Sequence, residues 1–440
     1  MEKIDVLKLE IIWTRLISIV DEAGLALKRT AFSEVIRDAS DYGIGLFDTQ
    51  YNLLAQAGNG TPGFLGALPY TMQKFAEAYP PETLQPGDVL ITNYPWYVCG
   101  HTNDISLAGP IYFKDKLVAY AVCIAHHNDI GGRMLTSETM DVFEEGILIP
   151  ILKLYEAGQP NNAVFQFIRS NVRQPIPVVG DLRAQLAGID TVSQRLIRLL
   201  EEYNLEDIQE LSSEILNRTE AAVRESIRRC PEGTCSKVMP INQIDGHPIS
   251  IAVTVTLQDG EISVDYTGTS PQIAKGMNAC FNYVQSHTKL ALKCAVSPFT
   301  PSNSGGIRPF KVSAPEGSIL NARFPAPLSM RTAVVLFLPE IVLNALSGLM
   351  PDRVIAGAGG TPGWYEAMVG LRQNGRLFIT RCDVKGGLGA RPTADGVSAL
   401  AFPANSTSAM VEYAESAGPV LFEMREFYTD SAGPASTAAV

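Results

Sequence analysis

Hydrophobic positions along this chain of 440 residues recur with two different periods. In the first thirty residues, apolar side chains return every three or four positions from Val6 to Val20, which predicts a helix. A second helical pattern covers about residues 180–229, with leucine and isoleucine on one face and acidic residues on the other. The apolar run "SMRTAVVLFLPEIVLNALSGLM" predicts a buried helix further along the chain.

Elsewhere the period falls to two, which is the period of a strand. The stretch "DYGIGLFDTQYNLLAQAG" predicts two short strands joined by a turn. The stretch "GPIYFKDKLVAYAVCIAHH" predicts a hairpin with strands Ile111–Phe113 and Leu117–Ala125, and the pairs Asp259-Gly260 and Asn374-Gly375 mark two more hairpin turns. Because hairpins and helices occur in separate blocks, we expect a multi-domain α+β fold with mixed or antiparallel sheets.

The change of pattern along the chain also divides it into three predicted parts. Residues 1–180 form an α+β domain, residues 181–240 a helical connecting segment, and residues 241–440 a strand-rich α+β domain.

Composition and charge narrow the class of protein. The chain is 46% hydrophobic and 18% charged, which is typical of a globular protein with a large core. A net charge of −11 argues against non-specific nucleic-acid binding, which requires a basic surface. The sequence has no apolar run of membrane-spanning length, and acidic residues interrupt its N-terminal apolar stretch, unlike a secretory signal. We therefore expect a cytoplasmic protein that does not bind membranes.

The candidate chemistry lies in one short segment that holds three of the five histidines. Asp104 follows His101 by three residues, and the predicted hairpin brings both of them close to His126. Two imidazoles and one carboxylate suit a catalytic divalent metal, because three protein ligands leave a position for water or substrate. The alternative for each histidine is an ordinary hydrogen-bonded residue of the core or surface.

The second histidine of the doublet needs a different role. Neighbouring side chains on a strand point to opposite faces, so His126 and His127 cannot easily bind one ion. We expect His126 to be the ligand and His127 to be an acid/base group or a satisfied polar residue. The acidic pair Glu144 and Glu145 is either a solvated pair or the source of a general base. The sequence contains no phosphate-binding loop and no nucleophile elbow.

Several stretches of the chain resemble the hydantoinase B/oxoprolinase family. They occur in order from about residue 30 to residue 360 and are "RDASDYGIGLFD", "GDVLITNYPWYVCGHTNDISLAGPIY", "AHHNDIGG", "FEEGILIPILKLYEAG", "DYTGTSPQ", "APEGSILNARFPAPLS" and "PDRVIAGAGGT". Members of this family are metal-binding subunits of ATP-dependent cyclic-amide hydrolases. Subunits of the acetone and acetophenone carboxylases are related to them.

The resemblance implies a set of ligands and a partner. It implies that Asp41, His101, Asp104 and His126 hold a divalent ion, and mixed histidine and aspartate ligation suits zinc or manganese equally. It also implies a hetero-oligomer in which a partner similar to hydantoinase A binds ATP and phosphorylates the substrate.

Three functions are compatible with this resemblance. The first is hydrolysis of a cyclic amide of the hydantoin, oxoproline or lactam type, in which water activated by the ion attacks the phosphorylated substrate. The second is a subunit of a ketone carboxylase, and the third is a non-catalytic structural subunit. In either enzyme, His127, Asp129 or Glu145 is the expected proton-transfer group.

Overall fold

A computed structural model describes residues 6–64, 66–133, 135–244, 247–358, 364–400, 402–404, 410–427 and 429 of the chain. Its helices are α1 Val6–Thr30, α2 Glu34–Arg37, α3 Ala67–Ala78, α4 Asn162–Asn171, α5 Pro175–Glu202, α6 Gln209–Arg228, α7 Phe281–Val296, α8 Ser304–Ile307, α9 Thr332–Val335, α10 Leu338–Leu346 and α11 Val411–Ala417. Its strands are β1 Tyr42–Phe47, β2 Leu53–Gln56, β3 Val89–Thr92, β4 Asp104–Phe113, β5 Lys116–His126, β6 Leu152–Glu156, β7 Gln159–Pro160, β8 Gly233–Ile244, β9 His247–Gln258, β10 Glu261–Asp265, β11 Phe310–Ser313, β12 Trp364–Leu371, β13 Leu377–Val384, β14 Gly387–Leu388 and β15 Val397–Ser398. The predicted α+β class is confirmed.

The N-terminal half is built on an antiparallel sheet. Within the described residues it has seven strands in the order β2-β1-β5-β4-β3-β6-β7. Its centre is the predicted hairpin, now β4 and β5, although β4 is longer than the strand that the sequence predicted. The alternation of strand side chains sends Ala121, Cys123 and Ala125 to one face and Val122 and Ile124 to the other.

Each face of this sheet is buried against a different layer. The long helices α1 and α5 pack on each other and cover the face that carries Cys123. On the opposite face, α3 joins a core that continues into the second sheet and into α7 and α10. Burial on both faces explains why β5 is almost entirely apolar until it ends at His126.

The second sheet is mixed and contains, in the described chain, four strands in the order β11-β10-β9-β8. The predicted hairpin around Asp259-Gly260 joins β9 to β10, and β11 then pairs with β10 in parallel. The predicted hairpin at Asn374-Gly375 is also present, as β12 and β13.

The single buried helix predicted for residues 329–350 is wrong in its continuity. The structure divides it into α9 and α10, with Pro339 in the first turn of α10. A proline ring clashes with the carbonyl group four residues earlier, here that of Val335, so one continuous helix cannot run through this position.

Two other expectations have different outcomes. Among the described residues, no helix combines the length and apolarity needed to cross a membrane. The predicted boundaries at residues 180 and 240 fall inside α5 and β8, and the three-part division stays a prediction.

A buried asparagine ties down the loop that joins β3 to β4. The amide nitrogen of Asn93 donates to the backbone oxygens of Thr102, at 2.7 Å, and Ile147, at 2.9 Å. Its oxygen accepts from the backbone nitrogen of Ile149 at 2.6 Å. The loop carries His101, so Asn93 fixes the backbone on which that side chain stands.

Replacing Asn93 by alanine leaves these buried backbone groups without their partner. We expect Asn93→Ala to lower the free energy of unfolding by about 3 kcal/mol, measured by urea denaturation. The control is Asn171→Ala at the exposed end of α4, where we expect a change within about 0.5 kcal/mol. Equal midpoints for Asn93→Ala and the parent protein would contradict this role.

Candidate metal centre

Three neighbouring strands place candidate residues at one edge of the antiparallel sheet. The register pairs Asp104, the first residue of β4, with His126, the last residue of β5. On the other side of β5, the backbone nitrogen of His126 donates to the backbone oxygen of Asp41, which precedes β1, at 3.1 Å. Strand pairing therefore brings together residues that are far apart in the sequence.

His101 reaches the same edge from the loop before β4. Gly100, just before it, has a φ of 79°, a conformation that side chains rarely adopt. A Cβ atom at Gly100 would also lie 3.0 Å from Cδ of Arg331. The glycine thus permits both the turn that presents His101 and the close approach of an arginine.

His101, Asp104 and His126 form a compact and buried trio. One ligand atom from each lies within 4.8 Å of the other two. Asp104 Oδ1 is 2.8 Å from His101 Nε2 and 3.1 Å from His126 Nδ1. Although His101 Nε2 is close to the carboxylate, the contact does not have the geometry of a hydrogen bond, so this buried nitrogen has no hydrogen-bond partner among the described residues. An unpartnered imidazole nitrogen facing a carboxylate oxygen fits a divalent cation.

Sequence reasoning missed Arg331, which contacts two members of the trio. Its Nη2 donates to Asp104 Oδ2 at 2.7 Å, and its Nη1 donates to His101 Nδ1 at 2.9 Å. Arg331 is only 3% exposed. The signal in the sequence was a single arginine in a long apolar run, because a buried arginine requires a partner.

The charges of this cluster are set by burial and by mutual contact. Burial, reinforced by the charge of Arg331, lowers the pKa of His101 to about 3, so the imidazole is neutral at pH 7. Burial alone raises the pKa of Asp104, but the adjacent His101 and Arg331 outweigh it and hold that pKa well below its usual range. A neutral imidazole and an ionised carboxylate are the forms that ligate metals.

The side chains of three other predicted site residues are occupied elsewhere. Asp41 accepts a hydrogen bond from Thr61 at 3.0 Å, and its carboxylate lies outside the compact trio. His127 Nε2 is 3.1 Å from Gln185 Oε1 on α5, on the face opposite to His126. Burial lowers the pKa of His127. The proposed ligand role of Asp41 and proton-transfer role of His127 stay predictions.

Asp129 is likewise engaged in a local network. It accepts from the backbone nitrogens of Gly131, at 3.1 Å, and Gln174, at 2.6 Å. The guanidinium group of Arg173 lies 3.4 Å from the same carboxylate. These contacts join the segment after β5 to the start of α5, and proton transfer by Asp129 stays a prediction.

Glu145 connects the candidate centre to the segment that carries Arg331. Its Oε1 accepts hydrogen bonds from Thr139, at 2.8 Å, and from the backbone nitrogens of Leu328, at 2.6 Å, and Ser329, at 2.8 Å. Its Oε2 is buried without a hydrogen-bond partner among the described residues. Burial raises the pKa of Glu145 although the three hydrogen bonds favour its charged form. Proton transfer by Glu145 also stays a prediction.

Comparison with a known family decides what this constellation belongs to. The sequence model described as Hydantoinase B/oxoprolinase matches residues 5–436. The chain belongs to the hydantoinase B/oxoprolinase family. The resemblance predicted from its sequence motifs is therefore confirmed.

Individual members of the family match most of the chain. A protein of a Pseudomonas species (strain NS671), named as the B-type component of a D-/L-hydantoinase, is 30% identical over 99% of this chain and 76% of its own length. The crystal structure of an ATP-dependent caprolactamase from Pseudomonas jessenii has a TM-score of 0.87 and 28% identity, covering 96% of this chain and 75% of that one.

A more distant structure shares the fold. The nucleotide-free structure of an acetone carboxylase has a TM-score of 0.83 and 18% identity, and it covers 93% of this chain and 58% of that chain. At that level of identity the likeness establishes the fold alone.

The clamp at Glu145 yields a stability prediction. We expect Glu145→Ala to lower the free energy of unfolding by about 3 kcal/mol, because two buried backbone N–H groups lose their acceptor. Glu145→Gln keeps a carbonyl oxygen that can accept both bonds, so we expect its effect to stay within about 1 kcal/mol. Thermal denaturation of the two variants measures the difference, and equal losses in both would refute the clamp.

Proposed function

We propose that this chain is the metal-dependent subunit of an ATP-dependent amidohydrolase that opens a cyclic amide. The observation that carries the proposal is the trio of His101, Asp104 and His126, in which a buried imidazole nitrogen faces a carboxylate oxygen and lacks a hydrogen-bond partner in the described structure. The hydantoinase component and the caprolactamase to which the chain is similar support a cyclic amide as the substrate class.

The residues present suit a divalent cation such as zinc or manganese. His101 Nε2, Asp104 Oδ1 and one nitrogen of His126 would hold it, and Asp41 is a further ligand in the proposal. When bound, such an ion polarises a carbonyl oxygen and lowers the pKa of a water molecule. The protein's own contribution is a carboxylate kept ionised by Arg331 and imidazoles held at the edge of a rigid sheet.

The proposal includes a second subunit, similar to hydantoinase A, that binds ATP. One relative is named as a single component of a hydantoinase and another as an ATP-dependent caprolactamase, which supports the same division of labour here. In this proposal the partner phosphorylates the carbonyl oxygen of the substrate. The activated carbon is then attacked by water at the edge where β4 begins and β5 ends.

A ketone carboxylase subunit is the second candidate, and the observation that favours it is the fold shared with acetone carboxylase. Both reactions develop negative charge on an oxygen atom, which a cation and Arg331 would stabilise equally. A non-catalytic subunit is the third candidate. It accounts less well for the trio, because a buried polar atom without a partner is unfavourable unless it has a ligand.

The assay that separates these candidates uses the complex isolated with its natural partner subunit. We expect ATP hydrolysis to depend on an added cyclic amide, tested with hydantoin, 5-oxoproline and caprolactam, and to be indifferent to bicarbonate. Asp104→Asn should lower this turnover by at least about 100-fold, because it weakens the charge that a divalent cation requires.

The matched control is Asp207→Asn, which alters a surface carboxylate paired with Lys116 and should leave turnover unchanged. ATP turnover that requires bicarbonate and a ketone would contradict the amidohydrolase and favour the carboxylase. Turnover of a cyclic amide that survives Asp104→Asn would favour the non-catalytic role.

A further inference from the structure

The guanidinium group of Arg331 binds the histidine and the aspartate of the His-x-x-Asp pair at the same time. Nη1 is 2.9 Å from His101 Nδ1, and Nη2 is 2.7 Å from Asp104 Oδ2. Nε donates to the backbone oxygen of Cys99, and the centre of the Tyr283 ring lies 4.1 Å from Cζ. Every nitrogen of this side chain therefore has an acceptor in the described structure.

The two oxygens of Asp104 have separate partners. Oδ2 accepts from Arg331, whereas Oδ1 faces His101 Nε2 and His126 Nδ1. A carboxylate with this division can bind a metal through Oδ1 and keep its bond to the arginine through Oδ2. The contact between Arg331 and Asp104 is thus compatible with a metal in the site.

The contact between Arg331 and His101 is not compatible with ligation through Nε2. An arginine only donates hydrogen bonds, so Nδ1 of His101 must be the acceptor and carry no proton. A neutral imidazole has one N–H group, which then lies on Nε2. A protonated Nε2 has no lone pair for a metal, whereas an Nδ1 that carries the proton cannot accept from Arg331.

We propose that Arg331 is a hydrogen-bond donor released by the metal: loading the trio breaks the bond from Nη1 to His101 and presents that N–H to an oxygen of the substrate. This proposal rests on the metal site proposed above. The arginine stays in place because Asp104, the backbone of Cys99 and the Tyr283 ring still hold it.

The chemistry of the released group specifies what it recognises. A buried N–H without an acceptor is unfavourable, so the loaded site favours a ligand that brings a hydrogen-bond acceptor next to the metal ligands. A carbonyl oxygen that becomes negatively charged during attack is such an acceptor, and it gains most from a cationic donor in the transition state. Arg331 is therefore an oxyanion-binding residue in the loaded state and a lock on His101 in the unloaded state.

The tautomer of His101 tests this switch without any measurement of activity. The experiment records nitrogen NMR spectra of the imidazoles in the full chain, first freed of metal and then with one equivalent of Zn²⁺, whose binding is verified by elemental analysis. The His101 signals are assigned as those lost in His101→Gln or, if that variant does not fold, by elimination with variants of the other histidines.

We expect Nδ1 of His101 to be unprotonated without metal and protonated after Zn²⁺ is bound. Arg331→Lys keeps the positive charge but lacks the fork that contacts both residues, so the unloaded variant should lose the strict preference for the Nε2–H tautomer. Arg308→Lys, which alters an arginine paired with Glu220, is the matched control and should retain that preference.

The outcomes distinguish this inference from the proposed function. If Zn²⁺ binds and the His101 tautomer is the same in both states, the switch is wrong while the metal site stands. If Nδ1 is already protonated in the unloaded protein, the lock is wrong. If the folded chain binds neither Zn²⁺ nor Mn²⁺, the proposed function fails and the switch fails with it.

Discussion

The pairing of β4 with β5 is the constraint on which the candidate centre depends. It sets Asp104 opposite His126 and leaves both at the edge where a polar site can form. A slip of one residue in this register would turn His126 toward α5 and send His127 to the other face. Burial of the sheet on both faces opposes such a slip, since it would exchange the side chains that belong to two different cores.

The balance of buried charge is the second constraint. Asp104 and Arg331 are 1% and 3% exposed, so each is stable in the interior only because the other is present. Glu145 holds the backbone just before Arg331, and Asn93 holds the loop before Asp104. The site is therefore supported by polar contacts from both halves of the chain, and it does not depend on one loop alone.

The sequence predicted the parts of this site that follow from local patterning. Alternation along β5 and the spacing of His101 and Asp104 were enough to expect a meeting with His126, and to send His127 elsewhere. Arg331 could not be found in this way, because its partners lie some 230 positions earlier in the chain. The division between α9 and α10 was foreseeable from Pro339 but was hidden by the strong apolar pattern around it.

The central claim is that the trio holds a divalent cation, and anomalous X-ray diffraction from crystals of the full chain soaked with zinc tests it most directly. The account predicts one strong anomalous peak, within about 2.0–2.2 Å of an imidazole nitrogen of His101, an imidazole nitrogen of His126 and Oδ1 of Asp104. A strong peak at other residues, or no peak at the trio after soaking with zinc and then with manganese, would contradict it.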